Sequence, residues 1–298
     1  MTNNHCVSVA IVGPGAIGIT LAAMLHECAR TPVLCGRRPR DELTLLDGER
    51  SIRVPGPVQT SPDQIGPGFD VVFLAVKATQ TDAAAAWLSA LSGPQTVVCV
   101  LQNGVEQVQA VSAHLAEARV VPAVVWFPAQ AQADGSVRLR GEARLSLPDI
   151  PAAEVVVRAL RGTRCGVELS ADFKTVAWRK LLQNALAGLM ALTQRRAGMY
   201  ARSDISRLSL AYLQECLAVA RAEGANLRDD VPQAILDQFQ AFPSDMGTSI
   251  LTDSEANRPL EWDIRNGVVS RYGRAHGIAT PISDMLVALL AAASDGPG

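Results

Sequence analysis

Val7–Gly18 reads VSVAIVGPGAIG, a short apolar run that leads directly into a glycine-rich turn. The apolar run predicts a buried strand, and Ala16–Arg30 is composed of good helix formers and predicts the helix that follows it. In the turn, Gly13, Gly15 and Gly18 fit the pattern G-x-G-x-x-G between a strand and a helix. That context is typical of a sheet that binds the pyrophosphate of a dinucleotide.

Each glycine of this turn has a physical reason. Gly13 permits the tight turn, Gly15 lets the backbone approach a pyrophosphate, and Gly18 lets the helix pack closely on the strand. The first N–H groups of the helix and its positive dipole end would then face the phosphates. A plain glycine turn in any βαβ unit is the alternative. The predicted cofactor-binding residues of the turn are Gly13, Pro14, Gly15, Ala16, Ile17 and Gly18.

The first half of the chain continues with further strand patterns. Pro32–Cys35 predicts the next short strand. Continuous apolar runs of the kind found in strands buried on both faces of a parallel sheet occur at Asp70–Val76 and Thr96–Leu101, and Val120–Trp126 resembles them. Arg138–Leu147 alternates like a β-hairpin at a sheet edge. Few β-branched runs remain after Val167–Leu169. Strands that alternate with helices predict an open, doubly wound α/β sheet of the Rossmann type.

The second half has helical periodicity instead, at Ala171–Leu192, Ser206–Glu223, Pro232–Phe239 and Pro259–His276. We therefore predict a dinucleotide-binding Rossmann-type domain over residues 1–171 and an all-α domain over residues 172–298.

Composition narrows the function classes. The 27 basic residues against 29 acidic ones give a net charge of −2, which argues against general nucleic-acid binding. No apolar run reaches the roughly 18 residues that a membrane span requires, and Met1–Asn4 lacks the basic start of a secretory signal. The six cysteines include no CxxC pair and the four histidines are scattered. We expect a cytoplasmic protein with reduced thiols, without a structural metal, nucleic-acid partner or membrane association.

The sequence after the second predicted strand indicates the cofactor. An NAD site usually has an acidic residue about 20 residues after the glycine turn. Residues 36–40 read GRRPR, and Arg37 follows Gly18 by 19 residues. A guanidinium in place of a carboxylate favours the 2′-phosphate of NADP, because arginine forms fork-like, charge-assisted hydrogen bonds with phosphate. A solvated basic loop is the alternative.

Five further motifs extend along the chain: VKATQT at Val76–Thr81, QNGVE at Gln102–Glu106, WRKLLQNA at Trp178–Ala185, EWDIRNG at Glu261–Gly267 and RAHGIATP at Arg274–Pro281. The first two follow predicted strands at the sheet edge where open α/β sheets bind ligands. The third places Lys180 and Asn184 one helical turn apart. With GPGAIG, these motifs resemble the ketopantoate reductase (2-dehydropantoate 2-reductase) family over the whole chain.

The resemblance implies an NADPH-dependent reductase of a 2-oxo acid, with ketopantoate first among substrates, in pantothenate and coenzyme A synthesis. It implies that Lys180 is the general acid, and that Glu261 is an active-site glutamate that contacts the ribose or nicotinamide end of the cofactor and influences Lys180. Asn184 would help to hold the substrate, Ser249 would bind its carboxylate, and Asn103 would lie at the nicotinamide–substrate junction.

The resemblance further places Arg37 and Lys77 near the adenosine 2′-phosphate. The proposed acid is chemically reasonable: hydride transfer to a ketone builds negative charge on its oxygen, and an ammonium group stabilises that charge and supplies the proton. Against these assignments, Lys180 alone could be a solvated helix lysine, and Glu261 could merely interact with a helix dipole.

Two places depart from the family pattern. Gly188 stands where the family often has a second asparagine. We expect the glycine to remove a hydrogen-bonding side chain and to leave space in its place. Gln194–Arg196 could supply charge near the substrate or form a solvated turn. The alternatives are thus a paralogous NADP-dependent reductase of another small 2-oxo or hydroxy acid, or a non-catalytic NADP-binding regulator. Family relatives occur as monomers and dimers, so we expect a monomer or a homodimer.

Overall fold

The structure is a computed structural model that describes residues 7–115 and 118–296. Met1–Asn4, considered above as a possible signal, lies outside the described part, as do one of the four histidines, His5, and one of the six cysteines, Cys6. The chain divides into two compact units. The first comprises Met1–Gln102 and Glu106–Phe173, and the second comprises Asn103–Val105 and Lys174–Gly298. The short segment Asn103–Val105 therefore belongs to the second unit, although the sequence on both sides of it belongs to the first.

The described part of the first unit contains β1 (Val9–Val12), β2 (Val33–Cys35), β3 (Glu42–Asp47), β4 (Arg50–Pro55), β5 (Val71–Leu74), β6 (Val97–Val100), β7 (Arg119–Pro122), β8 (Val124–Val125), β9 (Ala129–Ala131), β10 (Val137–Leu139), β11 (Arg144–Pro148) and β12 (Gly166–Ser170). Its α-helices are α1 (Ala16–His26), α2 (Thr81–Leu91), α3 (Gln107–Ser112) and α4 (Ala153–Leu160).

The main sheet of this unit is parallel, in the order β2-β1-β5-β6-β7. Every residue of β1, β5 and β6 is buried. Along β1, Val9 and Ile11 belong to the apolar cluster that includes α1, whereas Ala10 and Val12 belong to the cluster that includes α2. Helices cover both faces, which explains the continuous apolar runs and confirms the predicted doubly wound fold.

Two smaller sheets complete the unit, in the orders β4-β3-β10-β9 and β12-β11-β8. The predicted hairpin at Arg138–Leu147 is wrong, because β10 pairs with β3 and β9 whereas β11 pairs with β12 and β8. Alternation predicts that a segment is a half-buried strand, but it does not specify the neighbouring strand. Val120–Trp126, predicted as one strand, is two strands, β7 and β8, which lie in two different sheets. An apolar run does not show where the chain passes from one sheet to another.

A hairpin that the sequence analysis missed joins β3 to β4. Asp47 pairs with Arg50 across the two-residue turn Gly48-Glu49, and Gly48 has a φ of +59°. The dipeptide Asp47-Gly48 between alternating segments was the available signal.

The described part of the second unit is helical: α5 (Phe173–Thr193, whose first residue belongs to the first unit), α6 (Ser203–Ala222), α7 (Val231–Gln240), α8 (Ser249–Glu255), α9 (Val268–Ala275) and α10 (Pro281–Asp295). Residues 184–191 of α5 are all buried, so this half of the helix is surrounded by the rest of the unit. That burial explains why its sequence there consists of small and apolar residues, with Asn184 as the exception.

The helix predicted at Pro259–His276 is wrong in its first part. Pro259–Glu261 is not helical, Asp263–Gly267 is a π-helical turn, and α9 begins only at Val268. A π-turn contains one residue more than an α-helical turn and is often found at functional sites. Apolar periodicity does not distinguish the two kinds of turn over so few residues.

The described helices include none with the length and apolar character that crossing a bilayer requires. Within residues 7–115 and 118–296, no group of three or more His, Cys, Asp or Glu side chains is placed to hold a metal ion. The cysteines in these ranges, Cys28, Cys35, Cys99, Cys165 and Cys216, are free thiols.

Glu215 of α6 caps the first turn of α10. Its Oε1 accepts a hydrogen bond from the N–H of Ile282 at 2.9 Å, and its Oε2 accepts from both the N–H and the hydroxyl of Ser283 at 2.8 Å. The carboxylate therefore satisfies two N–H groups that have no partner within the helix, and its charge complements the helix dipole.

We predict that Glu215→Ala lowers the free energy of unfolding by about 1–3 kcal/mol, because the N–H groups of α10 lose their acceptor. Urea denaturation followed by circular dichroism measures the change. The neighbouring exposed Gln214 provides the control, and Gln214→Ala should change stability by less than about 0.5 kcal/mol. Equal effects of the two substitutions would contradict the capping role.

Candidate active site

The glycine turn after β1 combines two packed positions with one open position. Gly13 has a φ of +93°, and a Cβ there would lie 2.6 Å from Cγ1 of Val76. A Cβ on Gly18 would lie 2.4 Å from the carbonyl oxygen of Gly13. A Cβ on Gly15, in contrast, would meet no described atom within 4 Å. Gly13 and Gly18 are thus required by packing, whereas Gly15 presents bare backbone to open space.

The turn lies where the order of the strands reverses, since β1 is placed between β2 and β5. Gly36, just after β2, packs on the ring of Pro14 so closely that a Cβ would lie 2.9 Å from its Cδ. Val76, just after β5, packs on Gly13. Arg37 and Lys77 are the next residues in each segment, so the backbone brings both predicted phosphate contacts to the two sides of the turn.

The three arginines after β2 differ in their surroundings. Arg40 donates a hydrogen bond from Nη2 to the carbonyl of Gly135 at 2.8 Å, which ties it to a loop of the first unit. Arg37 and Arg38 are exposed. Arg37 is therefore accessible for the role predicted from its position.

The residues of this turn fit a dinucleotide. Gly15 is the N-cap of α1, and the first turn of α1 contains no acidic residue that would repel phosphate. The opening at Gly15 allows a pyrophosphate to approach the backbone. The turn would hold the pyrophosphate, with Arg37 and Lys77 beside it.

A chain of polar side chains lies in the second unit. Nδ2 of Asn184 on α5 donates to Oδ1 of Asn103 at 3.1 Å, and Nδ2 of Asn103 donates to Oε2 of Glu261 at 3.1 Å. Asn184 is 9% exposed and Glu261 is 7% exposed. Buried polar groups are costly unless they are paired, and these three residues satisfy one another.

Arg265, which the sequence analysis missed, extends this chain from the π-turn. It is 2% exposed, and its Nη2 lies 3.7 Å from Oε2 of Glu261. The same nitrogen donates to Oγ of Ser249, the first residue of α8, at 2.9 Å. Its place in the motif EWDIRNG, which also contains Glu261, was the available signal. A charged residue is almost never buried without a partner, so an arginine near that glutamate was a candidate for pairing with it.

Lys180, one turn before Asn184 on α5, is half-buried. Burial lowers its pKa to about 8, and the positive charge of Arg265 acts in the same direction. At neutral pH such a lysine is mostly protonated, yet it releases its proton more readily than a solvated lysine does. The solvated helix lysine considered above does not fit this environment.

Gly188 does not leave the space that was expected. A Cβ at this position would lie 2.9 Å from Nδ2 of Asn266 and 3.1 Å from Cδ1 of Leu290. Asn266 is fully buried, and its Nδ2 donates to the carbonyl of Ala185 at 3.0 Å and to the hydroxyl of Tyr212 at 2.8 Å. The volume next to Gly188 is filled by an asparagine from the π-turn, so glycine is required there by packing.

Gln194–Arg196 connects two elements of the second unit. Nη2 of Arg196 lies 2.6 Å from Oε1 of Glu255, and Nε2 of Gln194 donates to Oγ of Ser254 at 2.7 Å. Both partners lie on α8, the helix that begins at Ser249. The segment thus helps to fix α8, while Arg195 is exposed.

The structure places the candidate residues in two sets. The first unit contains the glycine turn with Arg37 and Lys77. The second unit contains the site residues Asn103, Lys180, Asn184, Ser249 and Glu261, with Arg265 among them. The second set combines a readily released proton with several hydrogen-bond donors, which suits proton transfer to an oxygen that gains negative charge. The individual roles remain predictions.

Comparison with known proteins gives matches over nearly the whole chain. Residues 9–152 match the family model "Ketopantoate reductase PanE/ApbA", and residues 172–294 match "Ketopantoate reductase PanE/ApbA C terminal". A 2-dehydropantoate 2-reductase of Mycobacterium tuberculosis is 57% identical over 291 residues, with 97% of this chain and 99% of the relative covered.

Two further relatives agree with these matches. A 2-dehydropantoate 2-reductase of Caulobacter vibrioides is 40% identical, with 96% of this chain and 99% of the relative covered. The solved structure of a dimeric ketopantoate reductase from Staphylococcus aureus superposes with a TM-score of 0.89 at 28% identity, with 98% of this chain and 100% of that chain covered.

Gly15 and Gly18 provide a matched test of the glycine turn. We predict that Gly15→Ala leaves the melting temperature near that of the wild type but weakens dinucleotide binding about tenfold, because the methyl group enters the space left for the pyrophosphate. Gly18→Ala should destabilise the fold by about 1–3 kcal/mol, since its Cβ meets a backbone carbonyl. Thermal melts and NADPH titrations measure both effects. Unchanged NADPH affinity of the folded Gly15→Ala protein would contradict the assignment.

Proposed function

Because the chain belongs to the ketopantoate reductase family of nicotinamide-dependent oxidoreductases, we propose that it reduces 2-dehydropantoate (ketopantoate) to pantoate with NADPH. The observation that carries the proposal is the arrangement around Lys180: a lysine with a lowered pKa in the same unit as the paired side chains of Asn184, Asn103 and Glu261. We place this reaction in the cytoplasm, in pantothenate and coenzyme A synthesis.

Arg37 supports NADPH as the cofactor. It follows β2 directly after Gly36, where an NAD site usually has a carboxylate, and it is exposed. Lys77 adds a second positive charge on the other side of the turn. Both residues suit the 2′-phosphate that distinguishes NADPH from NADH.

In the proposed reaction the bound reduced nicotinamide supplies the hydride. Lys180 donates the proton to the ketone oxygen, on which negative charge grows in the transition state. The amides of Asn103 and Asn184 orient the reacting groups, and the Glu261 carboxylate fixes Asn103. Ser249 binds the carboxylate of the 2-oxo acid. Fixed donors of this kind require no rearrangement during the reaction.

The two alternatives lose support. Gly188 was the main argument for another acid as substrate, and packing against Asn266 now explains it. A non-catalytic regulator would have no use for a half-buried lysine with a lowered pKa. Steady-state rates with ketopantoate and a panel of other 2-oxo acids, each with NADPH and with NADH, test the proposal. Turnover of another acid well above that of ketopantoate would contradict it, as would NADPH binding without turnover.

We predict that Lys180→Ala lowers kcat by roughly 10²–10⁴-fold, the usual contribution of a general acid, with little change in NADPH affinity. Lys180→Arg should not restore the rate, because a guanidinium scarcely releases its proton. In the wild type, kcat for reduction should fall as the pH rises through about 8, since Lys180 loses its proton there, whereas the rate of the reverse oxidation should rise. Stopped-flow and steady-state absorbance of NADPH measure the rates of reduction and of the reverse oxidation in each variant and at each pH.

The exposed neighbour Arg179 is the control, and Arg179→Ala should keep the wild-type rate and pH profile. Near-native kcat in a folded Lys180→Ala protein that binds NADPH would refute the role of Lys180 as the acid.

We predict that Arg37→Ala weakens NADPH binding by about 1.5–3 kcal/mol, typical of a lost hydrogen bond to a charged group, and leaves NADH binding nearly unchanged. Calorimetric titration with each cofactor measures the difference. Arg40→Ala is the comparison, since its side chain is bound to Gly135 and its loss should not discriminate between the cofactors. Equal losses for NADPH and NADH in Arg37→Ala would show that Arg37 does not contact the 2′-phosphate.

A further inference from the structure

Arg265 is buried at a cost that its contacts only partly offset. Its side chain is 2% exposed. It has the Glu261 carboxylate at 3.7 Å and one hydrogen bond, from Nη2 to Ser249, whereas its Nε has no hydrogen-bond partner among the described residues. A buried guanidinium usually has all of its donors satisfied. An arginine kept in this position, beside Lys180 and Glu261, points to a use in the site.

The hydrogen bond that Arg265 donates to Ser249 leaves the Ser249 hydroxyl to act as a donor. A serine hydroxyl has one proton to donate and two lone pairs that accept. Nη2 of Arg265 occupies a lone pair at 2.9 Å, and no acceptor for the hydroxyl proton is found in the described part of the chain. Ser249 is exposed at the start of α8, whereas Arg265 is buried behind it. The proton of Ser249 is therefore available to a group that arrives from solvent.

The charges of the cluster favour an anion. Lys180 and Arg265 are cationic and Glu261 is anionic, which leaves one net positive charge. Asp253, whose carboxylate also acts on Arg265, has Arg258 as its own counter-charge at 3.6 Å. A substrate with a single carboxylate would neutralise the cluster, whereas a neutral ketone would not.

We propose that Arg265 is a positioning residue for substrate selection, which holds the Ser249 hydroxyl as a donor, with positive charge behind it, toward the carboxylate of a 2-oxo acid. The inference rests on the proposed function and extends it, because it names the group that makes Ser249 specific for an anion. Arg265 itself need not touch the substrate.

A double-mutant cycle with Ser249→Ala and Arg265→Lys tests this inference. Lysine retains a counter-charge for Glu261 but cannot reproduce the geometry of a guanidinium hydrogen bond. We expect Arg265→Lys to raise KM for ketopantoate about 10–100-fold, with kcat within about threefold of the wild type and the NADPH dissociation constant unchanged. In the Ser249→Ala background the same substitution should have little further effect on KM, because the residue through which it acts is gone.

Arg258→Lys is the matched control, since Arg258 is an exposed arginine of the same unit whose counter-charge is Asp253, and it should leave KM unchanged. An unchanged KM in Arg265→Lys, or an effect of the same size with and without the Ser249 hydroxyl, would overturn the inference while the proposed function stands. A wild-type protein that does not reduce ketopantoate would instead overturn the proposed function, and the inference with it.

Should Arg265→Lys fail to fold, the KM for ketopantoate of the Ser249→Ala variant still tests the inference. An unchanged KM for ketopantoate in that variant overturns the inference, because Arg265 is proposed to act through this hydroxyl. A KM raised at least tenfold, with unchanged NADPH affinity and recovery in Ser249→Thr, supports it.

Discussion

The site of the second unit depends on the contacts that the carboxylate of Glu261 makes. One of its oxygens, Oε2, accepts the hydrogen bond from Asn103 and also lies near the guanidinium of Arg265. Asn103 in turn accepts from Asn184, and Arg265 donates to Ser249. A single buried oxygen thereby links α5, the π-turn, α8 and the segment Asn103–Val105. Since an unpaired buried charge is expensive, each of these groups restrains the others.

The π-turn at Asp263–Gly267 allows this linkage. It contains the successive residues Arg265 and Asn266, whose buried side chains donate hydrogen bonds from Nη2 and Nδ2. Arg265 serves the polar chain that contains Glu261, while Asn266 fills the volume beside Gly188 and binds the backbone of α5. The turn therefore fixes the candidate site and the packing of the central helix together, which is consistent with the frequent occurrence of π-turns at functional sites.

The local and strongly periodic features could be predicted from the sequence. The strand–turn–helix that begins at Val7 was predictable because Gly13 and Gly18 reflect close contacts within one short segment, although α1 ends at His26 and not at Arg30 as predicted. The resemblance of the motifs to the family led to Asn103, Asn184 and Glu261, which the structure joins by hydrogen bonds. The partners of β10 and β11 could not be predicted, because alternation at Arg138–Leu147 does not say which strand lies alongside. The close packing at Gly188 could not be predicted either, since the volume beside it is filled by Asn266, a residue 78 positions later.

The assignment of Asn103–Val105 to the second unit bears on how the chain can be divided and recombined. A fragment cut at the visible boundary near residue 173 would contain Asn184 and Glu261 but not Asn103, whose amide joins them from 81 positions before Asn184. Such a fragment would bury an asparagine and a glutamate without the group that satisfies both. The helical half is thus not an independent module, because exchange between homologues would have to transfer three residues embedded in the sequence of the other half. During synthesis, the residues of this site are all present only once the chain has reached Arg265.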